Sequence, residues 1–298
     1  MHDLIHKALQ KRRHLISESN NLVRLIDGEG DALPGLFLDS FADRWLLSTK
    51  NHSIPEPFLR WLHSQPQSCY HKRLDTHEKN SPSWISGPEF TDPFLVTENG
   101  ARFEISFHSG YSQGIFLDQR NNRSEIRQRM RPGMRLLNTF SYTGAFSIAA
   151  ALGGAQTTTL DLSQPYLDWA KRNFVHNDLN PADHYFCKGD TFHWFQRFAK
   201  QGRLFDAIVL DPPTFSRDEK GKVFRVEKDF GTLAKLATQI LAPGGFILCC
   251  TNFHQLTPRE FESHLLSHIP RSFSAKHSAM PSDFTAAPYL KSVWLEHS

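Results

Sequence analysis

The 298-residue chain carries 39% hydrophobic and 22% charged residues, a balance that excludes a disordered or fibrous protein and allows one large or two modest hydrophobic cores. No apolar run approaches the roughly 20 residues that span a bilayer, and the opening MHDLIHKALQKRRH lacks the uninterrupted apolar stretch of a secretory signal. A cytoplasmic protein without membrane contact is therefore expected. The net charge of +3 permits an anionic partner without demanding one. Four cysteines without C-x-x-C spacing and sixteen histidines without an H-E-x-x-H pattern imply neither a disulfide framework nor a metal site.

Residues 1–95 read as a small α+β module, expected to contact the substrate. A helical start over residues 3–15 contains the basic cluster Lys11, Arg12, Arg13 and His14. Short runs such as LVRLIDGEG and GLFLDSFADRWLLST come next, punctuated by Asp-Gly and Pro-Gly. The stretch His63–Pro88, rich in Ser, Pro, His and Lys, has no periodicity and reads as an exposed loop region. Residues 96–114 are expected to join the module to the larger carboxyl-terminal part through a hairpin, because FLVTENGARFEISF places Asn99-Gly100 between two alternating runs. Asn-Gly tolerates the positive φ of a type I′ turn. Arg120, Arg123, Arg127 and Arg131 then recur at three- and four-residue spacing along one helical stripe. That stripe is either a solvated face or a surface that tracks phosphates.

From residue 115 to 298 apolar runs alternate with helical stretches. MRLLNTF, QTTTLDL, HYFCKGD, FDAIVLD and GGFILCCTN read as strands; GAFSIAAALGG, SQPYLDWAKRNFVHN, TFHWFQRFAKQ and VEKDFGTLAKLATQIL read as the helices between them. Repeated β-α units predict an α/β, Rossmann-like domain with a mostly parallel sheet covered on both faces. Ligands of such sheets lie beyond the carboxyl ends of the strands, at the switch in strand order.

The strand ends are therefore where chemistry is sought. After the first comes NTFSYTGAFS, a turn in which Gly144 lets backbone approach a ligand and Ser141 and Thr143 offer hydroxyls. It is not G-x-G-x-x-G, so the pyrophosphate fingerprint of dinucleotide enzymes is missing. Asp161 ends the second strand, where a carboxylate can accept both hydroxyls of a ribose, as in nicotinamide and methyltransferase sites alike. Asp190 after the third strand suits either an adenine amino group or a helix N-cap. The fourth strand runs into Asp211-Pro212-Pro213-Thr214-Phe215. Strand termination accounts for Pro212 but not for a carboxylate, two prolines and an aromatic ring together.

These motifs resemble, in matching order, the class I S-adenosylmethionine (SAM) dependent methyltransferases of large-subunit (23S) ribosomal RNA. FLDQR, NTFSYTGAFS, TTTLDLSQPYLDWAKRN, DPPTFS and GGFILCCTN carry the likeness over most of residues 90–298. It is greatest to the guanine-N7 methyltransferase half of the bifunctional RlmK/L enzymes, which are related to the RlmI-type cytosine-C5 enzymes. The resemblance implies a seven-stranded sheet, SAM as cofactor and ribosomal RNA as substrate. By likeness, Asn138, Phe140, Ser141 and Gly144 form the SAM-binding turn, Asp161 the ribose carboxylate and Asp190 the adenine contact. Asp118 and Arg120 match the segment covering the methionine end of the cofactor. Asp211, Pro212 and Pro213 form the catalytic turn, which also contributes Asp211 to the cofactor, and Phe215 contacts the base ring.

The acceptor atom separates the branches. Cytosine C5 becomes nucleophilic only after a thiolate adds to C6. Where C5 enzymes place that cysteine, this chain has Asn252; Cys250 lies two residues earlier in an apolar run that reads as a buried strand. Guanine N7 carries its own lone pair, which favours it as acceptor, with Asn252 and Asp211 bonding the base edge. A C5 enzyme using Cys250, a SAM- and RNA-binding protein without turnover, and a Rossmann dehydrogenase are the alternatives. The loop SRDEKGKVFRVEKDF, with Lys220, Lys222 and Arg225, comes after the catalytic turn and could close over a nucleotide. GYSQG before FLDQR carries Ser112 where relatives often have lysine.

Overall fold

In the computed structural model, which describes residues 1–50, 53–75, 80–110, 112–217 and 223–297, the chain opens with helix α1 (His2–Arg12). Strands β1 (Leu22–Asp27), β2 (Leu36–Phe41) and β3 (Arg44–Thr49) come next, then α2 (Glu56–His63), β4 (Ser68–Arg73) and β5 (Ser83–Ser86). They form one sheet in chain order, with β3 and β4 parallel and the other neighbours antiparallel. Alternate residues of the strands meet the apolar stripes of both helices, so Val23, Leu38, Trp45 and Leu47 pack with Ile5, Ala8, Phe58 and Leu62. Hairpin β6 (Phe94–Glu98) and β7 (Ala101–Ile105) turns at Asn99 and Gly100 with φ of 49° and 77°, as the Asn-Gly pair predicts.

Two expectations fail here. His63–Pro88 is not simply an exposed loop, because it contains β4 and β5, with Cys69 and Tyr70 buried. Polar SCYHKR shows little alternation, and its strand state comes from parallel pairing with β3, a partner the local sequence cannot announce. The hairpin is also no bridge between domains. It belongs to a first unit of residues 1–120 and 281–288; the second unit comprises 121–280 and 289–298. The division expected at 95 and 115 thus moves to 120, and the first unit draws a segment from near the carboxyl end.

That segment enters a buried ionic network within the first unit. Arg12, 1% exposed, pairs with Asp31 through bonds of 2.9 and 2.8 Å and donates from Nε and Nη2 to the carbonyl of Asp283. The Asp283 carboxylate accepts from the backbone N–H of Arg24 at 2.9 Å and from the Arg120 guanidinium, which also donates to Leu22 O. Arg24 in turn bonds Asp39 and Asp27. Of the basic amino-terminal cluster, Arg12 is thus an internal device, whereas Lys11, Arg13 and His14 are exposed.

In the second unit α3 (Arg120–Arg129, its first residue counted with the first unit) precedes β8 (Arg135–Thr139), α4 (Ala145–Leu152), β9 (Gln156–Asp161), α5 (Gln164–His176), β10 (Tyr185–Lys188) and α6 (Thr191–Lys200). Then come β11 (Phe205–Leu210), the short antiparallel pair β12 (Phe215–Arg217) and β13 (Val223–Arg225), α7 (Val226–Thr238), β14 (Leu241–Thr251), α8 (Pro258–Leu266), β15 (Phe273–Ser278) and β16 (Lys291–His297). The seven-stranded sheet has the order β10-β9-β8-β11-β14-β16-β15, parallel except for β16. Both faces are covered. Ile208 and Leu210 of β11 pack with Phe195, Phe230 and Phe261, whereas Ala207 and Val209 pack with Ile126, Phe146 and Trp294.

The arginine stripe is corrected as well. Arg120 and Arg123 are 6% and 4% exposed, so the first turn of α3 cannot track phosphates. No helix among the described residues is long and apolar enough to cross a membrane, and no metal-holding group of His, Cys, Asp and Glu occurs among them.

Removing one partner of a buried pair strands the other charge, at a cost of about 3–5 kcal/mol. Asp283→Ala is accordingly expected to lower the urea midpoint strongly, Asp283→Asn less. Burial raises the Asp31 carboxyl, but its bonds to Arg12 and to the Asp27 N–H outweigh this and hold it below the ordinary value. A depressed folded pKa contributes stability above the unfolded value and loses it as pH falls through the folded one. Acid titration monitored by circular dichroism should show this contribution intact at neutrality and lost only below about pH 4.

Candidate active site

The strand order reverses between β8 and β11, so the carboxyl ends of β9, β8, β11 and β14 stand side by side at the switch point. Asp161, the turn Asn138–Gly144, Asp211 and Asn252 all occupy this edge of the sheet.

The turn leaving β8 is held in an unusual backbone state. Phe140, Tyr142 and Gly144 have φ of 52°, 50° and 79°. A left-handed residue other than glycine costs roughly 1–2 kcal/mol, which the surroundings must offset. They do so through the Ser141 N–H, which donates to Leu160 O at 3.1 Å, and the Tyr142 N–H, which donates to Asp161 Oδ2 at 2.8 Å. Gly144 answers a second demand, since a Cβ there would lie 2.8 Å from Ala170 Cβ on α5. Asn173, buried on α5, donates to Thr143 O at 3.0 Å and ties the far end of the turn.

Asn138 plays a different part from the direct contact its motif suggests. It is 1% exposed, and its Nδ2 donates to Ser147 Oγ, which also receives the Thr159 hydroxyl. It pins β8 and β9 to α4 and so shapes the turn from beneath. Phe140 packs against the core beside Leu137 and Leu160. Ser141 Oγ is buried without a hydrogen-bond partner among the described residues. A buried hydroxyl left so costs free energy, which makes it a place for a ligand to bond.

Asp161 uses Oδ1 to accept from Ser163 N–H at 2.9 Å, yet its side chain stays half-buried at the strand end. Burial pushes its pKa up, against the opposing backbone bonds from Ser163, Tyr142 and Leu162. Each carboxylate oxygen can accept more than one hydrogen bond, so the group can still receive a diol. Asp190 realises its capping option: Oδ1 accepts from His193 N–H at 2.9 Å and starts α6. Gly189 N–H donates to Asp161 O, joining the third strand end to the second.

Asp211 leaves β11, Pro212 is buried and Pro213 exposed. Thr214 Oγ1 donates to Asn252 Oδ1 at 2.7 Å, which links the catalytic-turn motif to the residue just past β14. Cys250 is 0% exposed, its sulfur within 3.7 and 3.8 Å of Asn122 Nδ2 and Ser292 Oγ. Cys249 is equally buried, and burial raises its thiol pKa. The side chain of Phe215, with Lys220 and Lys222, lies outside the described residues. Asp118 and Arg120 both belong to the first unit. Arg120 departs from its expected cofactor role, because its guanidinium is committed to Asp283 and Leu22 O.

Four contributors escape sequence reading. Ser147 and Asn173 lie on helices, where each looks like an ordinary helical polar residue. Thr214 stands inside the D-P-P-T-F motif, but its small hydroxyl carries less chemical signal than the carboxylate and ring beside it. Lys291 donates to Phe253 O at 2.6 Å from the first residue of β16, and no pattern signals it.

A partly exposed carboxylate suited to a ribose, an orphaned buried hydroxyl and a glycine turn that opens the backbone fit SAM. Gly144→Ala is expected to weaken SAM binding at least tenfold in calorimetry, through a left-handed alanine and its clash with Ala170. A charged Asp161 is the better hydrogen-bond acceptor, so the dissociation constant should rise on acidification. The rise should begin at a higher pH than an ordinary aspartate of pKa about 3.9 would give, and Asp161→Asn should flatten it.

Comparison with known proteins identifies the family. Residues 60–285 match the S-adenosylmethionine-dependent methyltransferase family. The chain is 40% identical to ribosomal RNA large subunit methyltransferase K of Neisseria meningitidis over 73% of this chain and 63% of that protein. It is 35% identical to ribosomal RNA large subunit methyltransferase I of Aeromonas salmonicida over 76% of this chain and 59% of that one. It therefore spans about three fifths of the length of these two relatives. Among solved structures, SMU.776 complexed with SAH superimposes with a TM-score of 0.90 at 29% identity, covering 99% of this chain and 80% of that one. The chain belongs to the S-adenosylmethionine-dependent methyltransferases.

Proposed function

We propose that this chain methylates N7 of a guanine in large-subunit ribosomal RNA. Relatives named as large-subunit ribosomal RNA methyltransferases K and I support the RNA class. The observation that carries the choice of atom is the lack, among the described residues, of an accessible thiol beside the catalytic turn. Asn252 stands exposed where a C5 enzyme needs cysteine, and the Cys250 sulfur lies wholly inside the sheet. Guanine N7 needs no covalent addition and releases no proton, so neither a nucleophilic side chain nor a general base is required.

The residues then divide their work. Asp161 accepts the ribose hydroxyls, Ser141 and the backbone of the turn to Gly144 line the cofactor, and Asp190 borders the adenine. SAM, when bound, would supply the electrophilic methyl group for the acceptor lone pair, its sulfur keeping the former bonding pair. Asp211 and the stiff Pro212-Pro213 backbone hold the base beside that methyl group. Asp211 also sets negative charge near a purine that becomes cationic. Orientation and exclusion of water supply the acceleration. The target base must leave its helix to reach such a site, so an unpaired or extruded nucleotide of protein-poor RNA is the expected substrate.

Incubation of purified protein and SAM with unmodified 23S transcript, then nucleoside mass spectrometry, should yield 7-methylguanosine. Cys250→Ser should retain turnover, whereas Asp211→Ala should lose on the order of a hundredfold in kcat. Formation of 5-methylcytidine that disappears in Cys250→Ser would overturn the reading in favour of C5 chemistry. Failure to bind SAM at high micromolar concentration would instead point to an RNA-binding protein without turnover.

A further inference from the structure

Asn252 is an exposed carboxamide whose two ends have different fates. Its Oδ1 accepts the Thr214 hydroxyl at 2.7 Å, across the gap between the chain leaving β11 and the chain leaving β14. A carboxamide has one acceptor end and one donor end. With Oδ1 turned to the Thr214 hydroxyl, the end of the amide that makes no hydrogen bond among the described residues is Nδ2, a donor. The backbone around Asn252 is pinned as well. Phe253 N–H donates to Thr251 Oγ1 at 3.2 Å, and Phe253 O receives the Lys291 ammonium at 2.6 Å. Lys291 is 7% exposed, and burial lowers its pKa, so this ammonium is spent on the loop.

We propose that Thr214 and Lys291 are positioning residues that fix Asn252 as a hydrogen-bond donor to the 6-oxo group of the target purine, so that the site accepts guanine and refuses adenine. This rests on the guanine-N7 reading and adds the element that selects the base. Beside N7, guanine shows the acceptor O6, whereas adenine shows the N6 amino donor; cytosine likewise has its N4 amino donor beside C5. A fixed donor pairs with the first and opposes the other two. An amide free to turn over would suit either kind of base, and the discrimination would vanish. The selectivity therefore resides in the Thr214 hydroxyl, which need not touch the RNA.

The test uses RNA oligonucleotides spanning the mapped nucleotide, with guanine, inosine or 2-aminopurine at that position. Inosine keeps N7 and O6; 2-aminopurine keeps N7 and lacks O6. Wild-type kcat/KM for N7 methylation should be similar for guanine and inosine, and on the order of tenfold or more lower for 2-aminopurine. Thr214→Ser should keep that ratio, and Thr214→Val should bring it towards one by slowing guanine. Lys291→Met should reduce it mainly through KM. The proposal falls if wild type methylates 2-aminopurine as well as guanine, or if Thr214→Val keeps the full ratio. Should Thr214→Val fail to fold, Asn252→Ala takes its place: a ratio near one supports the proposal and an unchanged ratio overturns it. Digests containing 5-methylcytidine, or no 7-methylguanosine, sink the N7 reading itself and are distinguishable from these outcomes.

Discussion

The Asp161 carboxylate holds together a turn that would otherwise be costly. Two non-glycine residues and one glycine adopt left-handed backbone within five positions, and the carboxylate at the end of the neighbouring strand receives one of the N–H groups this exposes. The same carboxylate is half-buried and sits at the edge where a ribose would bind. Shaping the turn and offering a diol acceptor would therefore be one feature, the strain being offset by the group we propose to meet the ligand. Asn138, Ser147 and Asn173 extend this support inward from three separate elements.

Parallel register makes the rest possible. Because β9, β8, β11 and β14 run the same way and lie adjacent, four loops that are far apart in sequence emerge along one edge. In the proposed site β9 and β8 would supply the cofactor side, and β11 and β14 the acceptor side. The Thr214–Asn252 bond couples the two acceptor loops, and Lys291 on the antiparallel β16 braces one of them. Such a brace comes at little cost where β16 already pairs with β14, since Lys291 stands opposite Thr251 in the ladder. The first unit shows a comparable dependence on a distant segment. Its Arg12, Arg24 and Arg120 all meet Asp283, so its interior is complete only when residues 281–288 are in place.

Much of the fold is legible in the sequence because buried parallel strands read as short apolar runs between amphipathic helices. The five runs from MRLLNTF to GGFILCCTN correspond to β8, β9, β10, β11 and β14. The carboxylates at their ends are legible too, since strand ends in such a sheet are where ligands bind. β4 and β5 escape such a reading because their strand state depends on partners: β4 lies between β3 and β5, with only part of its polar run buried. β15 is equally hard to detect, for FSAKHS carries a single buried residue and offers no alternation. The arginine stripe misleads because helical spacing gives periodicity and not direction. It does not say whether a guanidinium meets water or, as with Arg120, a buried carboxylate.

Sequence alone determined the class of fold and the family, and it located the strand ends where the site is proposed, because hydrophobic period and local motifs encode them directly. Tertiary structure decided which polar groups are spent on one another. Arg120 and Asn138 turned inward, Cys250 closed into the sheet, and the Thr214 hydroxyl came to rest on Asn252. Each of these outcomes depends on neighbours brought in from elsewhere in the fold, and the spacing of residues along a chain holds no record of such a pairing.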